Sequence, residues 1–237
     1  MTFLPILDPS AKIWAIADTH LSFERPERDM SRFGSEWINH TDKIQHACET
    51  LIHPQDVLLI AGDLSWARKR AEVSTDLDFL NGLPGLKIVI RGNHDHWWKA
   101  KHPINHGQLI EPPVIFGNNE IGIAGCRGWQ TPRLPSPDHD TKMLTREHAL
   151  LTKQLGEISR CRHKIVMTHY PAQPFIDIVL QNAVNRVIFG HVHLRSLPED
   201  EIFAIENALF QGVPHWCVAA DRLNFSPVQI YPERHTT

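Results

Sequence analysis

Short apolar, β-branched runs recur along the whole chain, and they constrain its fold more than any other feature of the sequence. Each run is bounded by turn-forming residues, which is typical of a buried strand. Nine strands are predicted in this way: Lys12–Ala17, Val57–Ala61, Lys87–Ile90, Val114–Phe116, Ile121–Ala124, Lys164–Met167, Arg186–Phe189, Trp216–Ala219 and Val228–Tyr231.

Helical stretches separate several of these runs. Apolar residues recur at helical spacing in Thr41–His53, Ala71–Leu80 and Thr145–Ser159. Strands and helices alternate through the first half and strands become denser after residue 112, so we expect an α/β fold with one largely buried sheet and a second sheet. The segments 20–40 and 127–142 are polar and irregular, and each is either the rim of a functional site or mobile surface.

The size and composition of the chain narrow the class of protein. Its 237 residues suit a single domain spanning 1–237. A formal net charge of −3 leaves no overall basic footprint, which weighs against a long nucleic acid as partner. The N-terminus lacks an apolar signal-peptide core, and no apolar segment approaches the roughly 20 residues of a membrane span. The four scattered cysteines form no C-x-x-C pair, so we expect a cytoplasmic protein with free, buried thiols.

Five of the predicted strands deliver carboxylate, amide or imidazole side chains at their carboxyl ends. The carboxyl ends of strands are where open α/β sheets bind ligands, so strands that share one sheet edge would bring these groups together. Two i, i+2 pairs occur, Asp18 with His20 and His191 with His193. In an extended chain both members of each pair would project to the same side. Glycines precede three of these positions and allow close backbone approach. The strand-end residues are Asp18, His20, Asp63, Asn93, His94, Asp95, His169, His191 and His193, and the glycines are Gly62, Gly92 and Gly190.

The donor types indicate the kind of metal site. Mixed oxygen and imidazole donors without a thiolate argue against a structural zinc finger and favour catalytic Mn, Fe, Zn or Co. Even seven of these side chains are too many ligands for one ion, and they suit two ions about 3.5–4 Å apart with a carboxylate between them. Taken singly, Asp63 is as readily a turn or helix cap, Asn93 a turn residue, and His169 a core histidine. The set as a whole favours ligands.

At these residues the chain resembles the calcineurin-like metallophosphoesterase superfamily. The motifs DTH, GD, GNHD, H and GHVH occur in that family's order between positions 18 and 193, and GDLSW, LPG, RGNHDHWW and GCRGW are similar to a bacterial branch of predicted phosphohydrolases. The resemblance implies a four-layer α/β/β/α sandwich of two mixed β-sheets flanked by helices.

The resemblance also implies a role for each ligand. One metal ion would be held by Asp18, His20 and His193. A second would be held by Asn93, His169 and His191. Asp63 would bridge the two ions. His94 would point at the leaving oxygen of the substrate and protonate it, and Asp95 would hydrogen-bond His94 and set its tautomer.

The implied activity is hydrolysis of a phosphate monoester or diester by a hydroxide that two divalent transition-metal ions (Mn, Fe or Zn) activate. The expected partner is a small phosphorylated substrate and not a membrane, and the sequence indicates no oligomeric state. Two alternatives stay open. One is a nucleotide or cyclic-nucleotide phosphodiesterase or a nuclease, and the other is a metal-binding scaffold without activity.

Outside the motifs we expect mostly packing and solvated side chains. Arg127, in GCRGW, is the main candidate for binding the substrate phosphate. Trp97 and Trp98 are expected to pack a helix that follows the GNHD motif against the core. The remaining candidates are weaker, since a solvated loop or rim explains them: His96, His102, His106, Tyr170, Arg25, Arg28 and Arg32.

Overall fold

Two β-sheets form the centre of the protein. The computed structural model describes residues 1–99, 103–104, 106–129, 137–195 and 208–232. In the described residues there are twelve strands: β1 (Thr2–Leu4), β2 (Ile13–Ile16), β3 (Val57–Ile60), β4 (Leu86–Val89), β5 (Leu109–Ile110), β6 (Val114–Phe116), β7 (Ile121–Cys126), β8 (His163–Thr168), β9 (Arg186–Phe189), β10 (Ala208–Phe210), β11 (Val213–Cys217) and β12 (Val228–Tyr231).

Both sheets are mixed. The five-stranded sheet has the order β12-β2-β3-β4-β5, and all its neighbours are parallel except β12 and β2. The seven-stranded sheet has the order β1-β6-β7-β8-β9-β11-β10, with a parallel centre from β7 to β11 and antiparallel pairs β6–β7 and β10–β11. Parallel strands require crossover connections, and the helices supply several of them.

Helices cover the outer face of each sheet. They are α1 (His40–Leu51), α2 (Ser74–Gly82), α3 (Pro137–Glu157) and α4 (Ile176–Gln181). Side chains alternate along β2, so that Ile13 and Ala15 pack against the other sheet while Trp14 and Ile16 pack against the α1 and α2 side. A third cluster joins α3 and α4 to the seven-stranded sheet. The predicted α/β/β/α sandwich is therefore confirmed.

A buried lysine ties β4 to the end of α2. Lys87 is 1% exposed, and its ammonium donates to the carbonyls of Asn81, Leu83 and Gly85 at 2.9, 2.7 and 2.8 Å. All three N–H donors are therefore satisfied, which is what permits a lysine to be buried. Burial lowers the pKa of this ammonium.

The predicted helices exist, but their limits differ. The segment 127–142 was predicted to be irregular, whereas α3 already begins at Pro137 and runs to Glu157. The first turns of α3 are polar and carry no apolar stripe, so hydrophobic periodicity does not predict them. Proline at the first position and acidic residues in the first turn favour this start. Residues 130–136 lie outside the described residues.

Two further differences concern the short edge strands and the segment after the GNHD motif. The edge strands β1, β5 and β10 have two or three residues each, too few for a pattern to be recognised. Trp97 and Trp98 are buried at 3% exposure, as expected, but they lie in a turn, and no helix follows the motif in the described residues up to Lys99. The two indoles stack on each other at 5.5 Å and join the core under α2.

The four cysteines are buried and form no disulfide within the described part of the chain, as the sequence predicts. Among the described helices, none combines the length and apolarity that crossing a membrane requires.

Candidate metal centre

The ligand-type residues lie where the carboxyl ends of both sheets meet. Ile16, Ile60 and Val89 are register partners in the five-stranded sheet, so β2, β3 and β4 end at one level. Thr168 and Phe189 are partners in the other sheet, so β8 and β9 also end together. The five strands do not share one sheet edge, and two edges are brought together across the sandwich.

The segment after β11 joins the two edges. Val218 donates to the carbonyl of Phe189 at 2.7 Å, and its own carbonyl accepts from Ala17 at 2.7 Å. Ala220 then donates to the Ala17 carbonyl at 2.9 Å. These hydrogen bonds hold the end of β2 beside the end of β9.

Four of the ligand-type residues have left-handed backbone. The φ angles of Asp18, His20, Asp63 and His191 are 58°, 44°, 52° and 69°. Such angles are costly for residues with a Cβ and recur where function requires them. The prediction that Asp18 and His20 project to the same side because the chain is extended is therefore wrong, since the backbone is not extended at either residue. A sharp turn after the strand directs both inward.

Glycines make room for the carboxylates. A Cβ on Gly92 would collide with the carboxylate and backbone nitrogen of Asp63. A Cβ on Gly190 would lie 2.5 Å from Oδ2 of Asp18. Both glycines are therefore required by close approach, as the sequence predicts.

The first ligand group consists of Asp18, His20 and His193. The Nε2 atoms of the two imidazoles lie 3.2 Å apart, and Oδ1 of Asp18 lies 3.9 and 3.8 Å from them. Together these atoms form a group within 4.8 Å of one another. This is the predicted set for one ion.

The second ligand group surrounds the amide oxygen of Asn93. Its Oδ1 lies 2.6 Å from Nε2 of His169 and 3.0 Å from Nδ1 of His191. Asp18, Asp63 and His169 also form a group within 4.8 Å, so the carboxylate of Asp18 lies close to both sets.

Asp63 lies between the two groups. Its Oδ2 is 3.8 Å from Nε2 of His20 and 3.4 Å from Nε2 of His169. Its Oδ1 accepts from the backbone nitrogen of His94 at 2.8 Å. Oδ2 of Asp18 similarly accepts from the nitrogen of His191 at 2.9 Å. Each carboxylate thus has one oxygen held by backbone and one oxygen directed at the site.

The donor set fits metal ions. Oδ1 of Asp18 is buried and has no hydrogen-bond partner among the described residues, an arrangement that costs free energy unless a cation is bound. With metal–nitrogen bonds of about 2.1 Å, two ligand atoms on one ion lie about 3.0–3.4 Å apart. The two nitrogens of His20 and His193 satisfy that spacing at 3.2 Å.

The electrostatics agree with this fit. Burial lowers the pKa of His20 well below its usual value, and burial together with the charge of His169 lowers that of His191 to about 3, so both imidazoles are neutral donors at neutral pH. Burial acts to raise the pKa of Asp63, but His169 and the other histidines outweigh it and hold that pKa below its usual range. Asp63 is therefore an anion in the middle of the site.

A comparison with protein-family models decides the family. Residues 11–195 match the model of calcineurin-like phosphoesterases, a span that includes all seven ligand-type residues. The chain belongs to the calcineurin-like phosphoesterase family. Membership supports metal-dependent hydrolysis of a phosphoester.

One solved structure supports the fold. A protein of unknown function from Aquifex aeolicus, AQ665, is 17% identical over 93% of this chain and 96% of that chain, with a TM-score of 0.52. The calcineurin-like phosphoesterase YfkN from Bacillus subtilis is 16% identical over 87% of this chain and 80% of that chain, with a TM-score of 0.46. No curated protein matches the sequence.

Two hydrogen bonds orient histidines of the ligand-type set. Nδ1 of His169 lies 3.1 Å from the carbonyl oxygen of Ala61, and Nδ1 of His193 lies 3.2 Å from Oδ1 of Asp221. A proton on each Nδ1 leaves the Nε2 lone pair free for a metal ion. Asp221 was missed from the sequence. The sequence contains a signal for it, since Asp221 comes after β11 as the ligand-type residues come after their strands.

The role predicted for Asp95 is not observed. Its Oδ1 accepts from the backbone of Leu64 and Ser65 at 2.9 and 3.1 Å and from the indole of Trp97 at 3.2 Å, and its Oδ2 accepts from Gly92 at 2.8 Å. The carboxylate of Asp95 therefore accepts from these four N–H donors and not from the His94 ring. Asp95 therefore holds the loop after β3 against the loop after β4. Burial and the nearby charge of Asp63 raise its pKa to about 7.

His94 lies at the open side of the site. Its Nε2 is 4.0 Å from Oδ2 of Asp63, its side chain is 35% exposed, and its ring lies 4.2 Å from that of Trp66. Burial lowers its pKa, and the charge of Asp63 partly opposes this.

Arg127 contributes to the site through its backbone. Its carbonyl accepts from His169 and Tyr170 at 3.1 and 3.0 Å, which positions the loop after β8. Its guanidinium lies 4.9 Å from the ring of Trp129 and lines a separate cavity of about 220 Å³ with Arg91.

The weaker candidates have varied positions. The ring of Tyr170 lies 4.4 Å from that of His191, at the second ligand group. His96 is exposed. Nε2 of His106 pairs with Oδ1 of Asp78 at 2.7 Å. His102 lies outside the described residues.

A cavity of about 330 Å³ opens beside the first ligand group. Part of the 20–40 segment, folded into short 3-10 turns, forms one of its walls. This segment is therefore the rim of the site. The cavity is lined by His20, His94, His193, Asp221, Met30, Phe33, Glu36, Trp37, Trp66 and Arg195.

Proposed function

We propose that this protein hydrolyses a phosphate monoester or diester of a small molecule with the help of two divalent transition-metal ions. The observation that carries the proposal is the position of Asp63. Its free carboxylate oxygen lies within 4 Å of Nε2 of His20 and of His169, which belong to different ligand groups. A carboxylate shared in this way is the arrangement that two-metal hydrolases use.

The two ligand groups would hold one ion each, of Mn, Fe or Zn. Mixed carboxylate, amide and imidazole donors suit these metals. When bound, the pair supplies a nucleophilic water at neutral pH and stabilises the charge that develops on the phosphoryl oxygens. The backbone N–H groups of His94 and His191 keep the carboxylates of Asp63 and Asp18 in place for this purpose.

We assign the proton of the leaving group to His94. Its Nε2 faces the site, and the side chain is open to the cavity. Burial lowers its pKa, so the free site favours neutral imidazole. A phosphate dianion bound within reach acts in the opposite direction and favours the protonated ring. Donation of that proton to a departing alkoxide contributes roughly 10²–10⁴ in rate.

The test combines metal content with activity. The purified protein, loaded with Mn²⁺, Fe²⁺ or Zn²⁺, is analysed for bound metal and assayed on aryl monoesters and diesters. We expect close to two ions per chain and hydrolysis that a chelator abolishes and metal restores. Asp63→Asn should lose metal and activity together, while Asp42→Asn, an exposed change on α1, should lose neither. Equal activity of the folded, metal-free protein would refute the proposal.

A further inference from the structure

We propose that the 330 Å³ cavity binds a planar aromatic leaving group of the phosphoester. This inference rests on the proposed function and adds the class of substrate. It identifies the class of alcohol that the enzyme releases, because the cavity is lined by His94, the residue proposed to protonate the leaving oxygen.

Two kinds of side chain line the cavity. The imidazoles are those of His20, His193 and His94. Aromatic and thioether groups from the 30–37 segment and from the loop after β3 form what we call the wall: Met30, Phe33, Trp37 and Trp66. Aromatic groups beside a few polar groups are typical of a pocket that binds one part of a small molecule by its flat surface.

Trp66 connects the wall to the imidazoles. Its ring stacks on His20 at 5.0 Å and 21°, and it lies 4.2 Å from the ring of His94. Its indole nitrogen donates to Sδ of Met30 at 3.2 Å, which holds the ring in position. A group attached to the oxygen that His94 protonates therefore lies against Trp66.

The ring of Phe33 lies close to that of Trp66 in the lining of the cavity. The two rings are nearly parallel, at an interplanar angle of 12° and a centroid separation of 6.4 Å. A guest ring that stacks at about 3.5 Å on both would move Phe33 outward. Phe33 is 56% exposed, so a small outward shift has little to displace. An aromatic guest would cover an apolar surface that is otherwise in water.

An ion pair ties this wall to a ligand loop. Arg195 follows His193 by two residues, and its Nη2 donates to Oε2 of Glu36 at 3.0 Å. Its Nη1 also donates to the carbonyl oxygen of Phe33 at 3.4 Å. Trp37, at 3% exposure, anchors the same segment in the core. These contacts join the backbone of the 33–37 segment to the loop that carries His193.

The experiment compares two esters that differ only in the flat ring. Benzyl phosphate and cyclohexylmethyl phosphate both release a primary alcohol of similar acidity, so their chemical reactivity is matched. The corresponding methyl diesters cover an enzyme that prefers diesters. With the metal-loaded protein we expect kcat/KM to be about two- to tenfold higher for the benzyl ester, the range expected of one aromatic pair.

The variants separate stacking from a structural role. Phe33→Ala should lower the benzyl to cyclohexylmethyl ratio toward one, because only the contact with Trp66 remains, and Phe33→Tyr should retain the ratio. Phe23→Ala is the matched control, because Phe23 is 43% exposed in the same segment but packs on Phe79. A merely structural role for Phe33 would lower both kcat/KM values by the same factor and leave their ratio unchanged, which would overturn the inference.

A binding measurement decides the matter independently of turnover. Benzylphosphonate and cyclohexylmethylphosphonate carry a P–C bond that is not hydrolysed, and calorimetry on the metal-loaded protein gives their Kd values. We expect the benzyl compound to bind about two- to tenfold more tightly, and Phe33→Ala to remove the difference. Equal binding refutes the aromatic pocket even if the enzyme hydrolyses both esters. A preference for the benzylphosphonate without hydrolysis of any ester refutes the proposed function alone.

Discussion

Oδ1 of Asp221 lies 3.2 Å from Nδ1 of His193, although 28 residues separate the two in sequence. The same carboxylate accepts from the backbone nitrogen of Leu194 through Oδ2 at 2.9 Å. The hydrogen bond to Nδ1 orients the imidazole with Nε2 toward the first ligand group, beside Nε2 of His20. Burial acts to lower the pKa of His193, but the hydrogen bond to Asp221 and the charges of Asp18 and Asp221 raise it above its usual value.

Asp221→Asn should weaken metal binding at the first group. The carboxylate raises the basicity of His193 and sets its tautomer, and loss of such a partner costs roughly 10–100-fold in metal affinity. Competition with a chelator measures the affinity. Asp42→Asn serves as the exposed control. Unchanged affinity in Asp221→Asn would mean that His193 is oriented by its other contacts.

Gly92→Ala should disrupt the bridge between the two ligand groups. The added Cβ would collide with the carboxylate of Asp63, and a clash of this kind costs about 1–3 kcal/mol of stability. Urea unfolding and metal analysis should show loss of both stability and bound metal. Gly156→Ala in α3 is the control, since its Cβ meets nothing within 4 Å. It should leave metal content unchanged and raise the stability by up to about 1 kcal/mol.

His94→Asn should retain both metal ions and lose turnover. Esters with poor leaving groups, such as alkyl phosphates, should lose roughly 10²–10⁴ in kcat, because only they need the proton. Esters of p-nitrophenol should lose much less. Parent-level hydrolysis of alkyl phosphates by the variant would exclude His94 as the acid.

The metal-free protein should lose stability as the pH rises from about 7 to 9. Burial lowers the pKa of His169, but Asp63 and the other acceptors outweigh it and raise that pKa to about 9, above the unfolded value of 6.5. The folded state therefore keeps a proton that the unfolded state releases. The stabilisation is fully present below pH 6.5 and is lost as the pH rises through 9. At about 1.4 kcal/mol per pH unit, the interval from 6.5 to about 9 amounts to at most about 3.5 kcal/mol.

Urea unfolding in excess chelator at several pH values measures this decline. His169→Gln should flatten the dependence between pH 7 and 9. An equally steep decline in that variant would assign the pH dependence to other groups.

Much of the fold was predictable from local pattern. The strands β6, β9 and β12 begin and end at the predicted residues, because apolar β-branched runs bounded by turns are a local signal. The polar start of α3 and the two- or three-residue edge strands carry no such signal. Their positions depend on contacts such as the hydrogen bond at 3.0 Å from the indole of Trp129 to Asp140.

The sequence by itself determined the composition of the site. Its strand-end motifs identify seven ligand-type side chains, from Asp18 to His193, and the glycines that make room for them. Only the tertiary structure decided how these residues are used. Two sheets rather than one converge, left-handed turns direct Asp18 and His20, Asp95 binds backbone instead of His94, and Asp221 orients His193. Hydrogen bonds and packing between distant segments set these relations, and local sequence carries no record of which distant partner a side chain will meet.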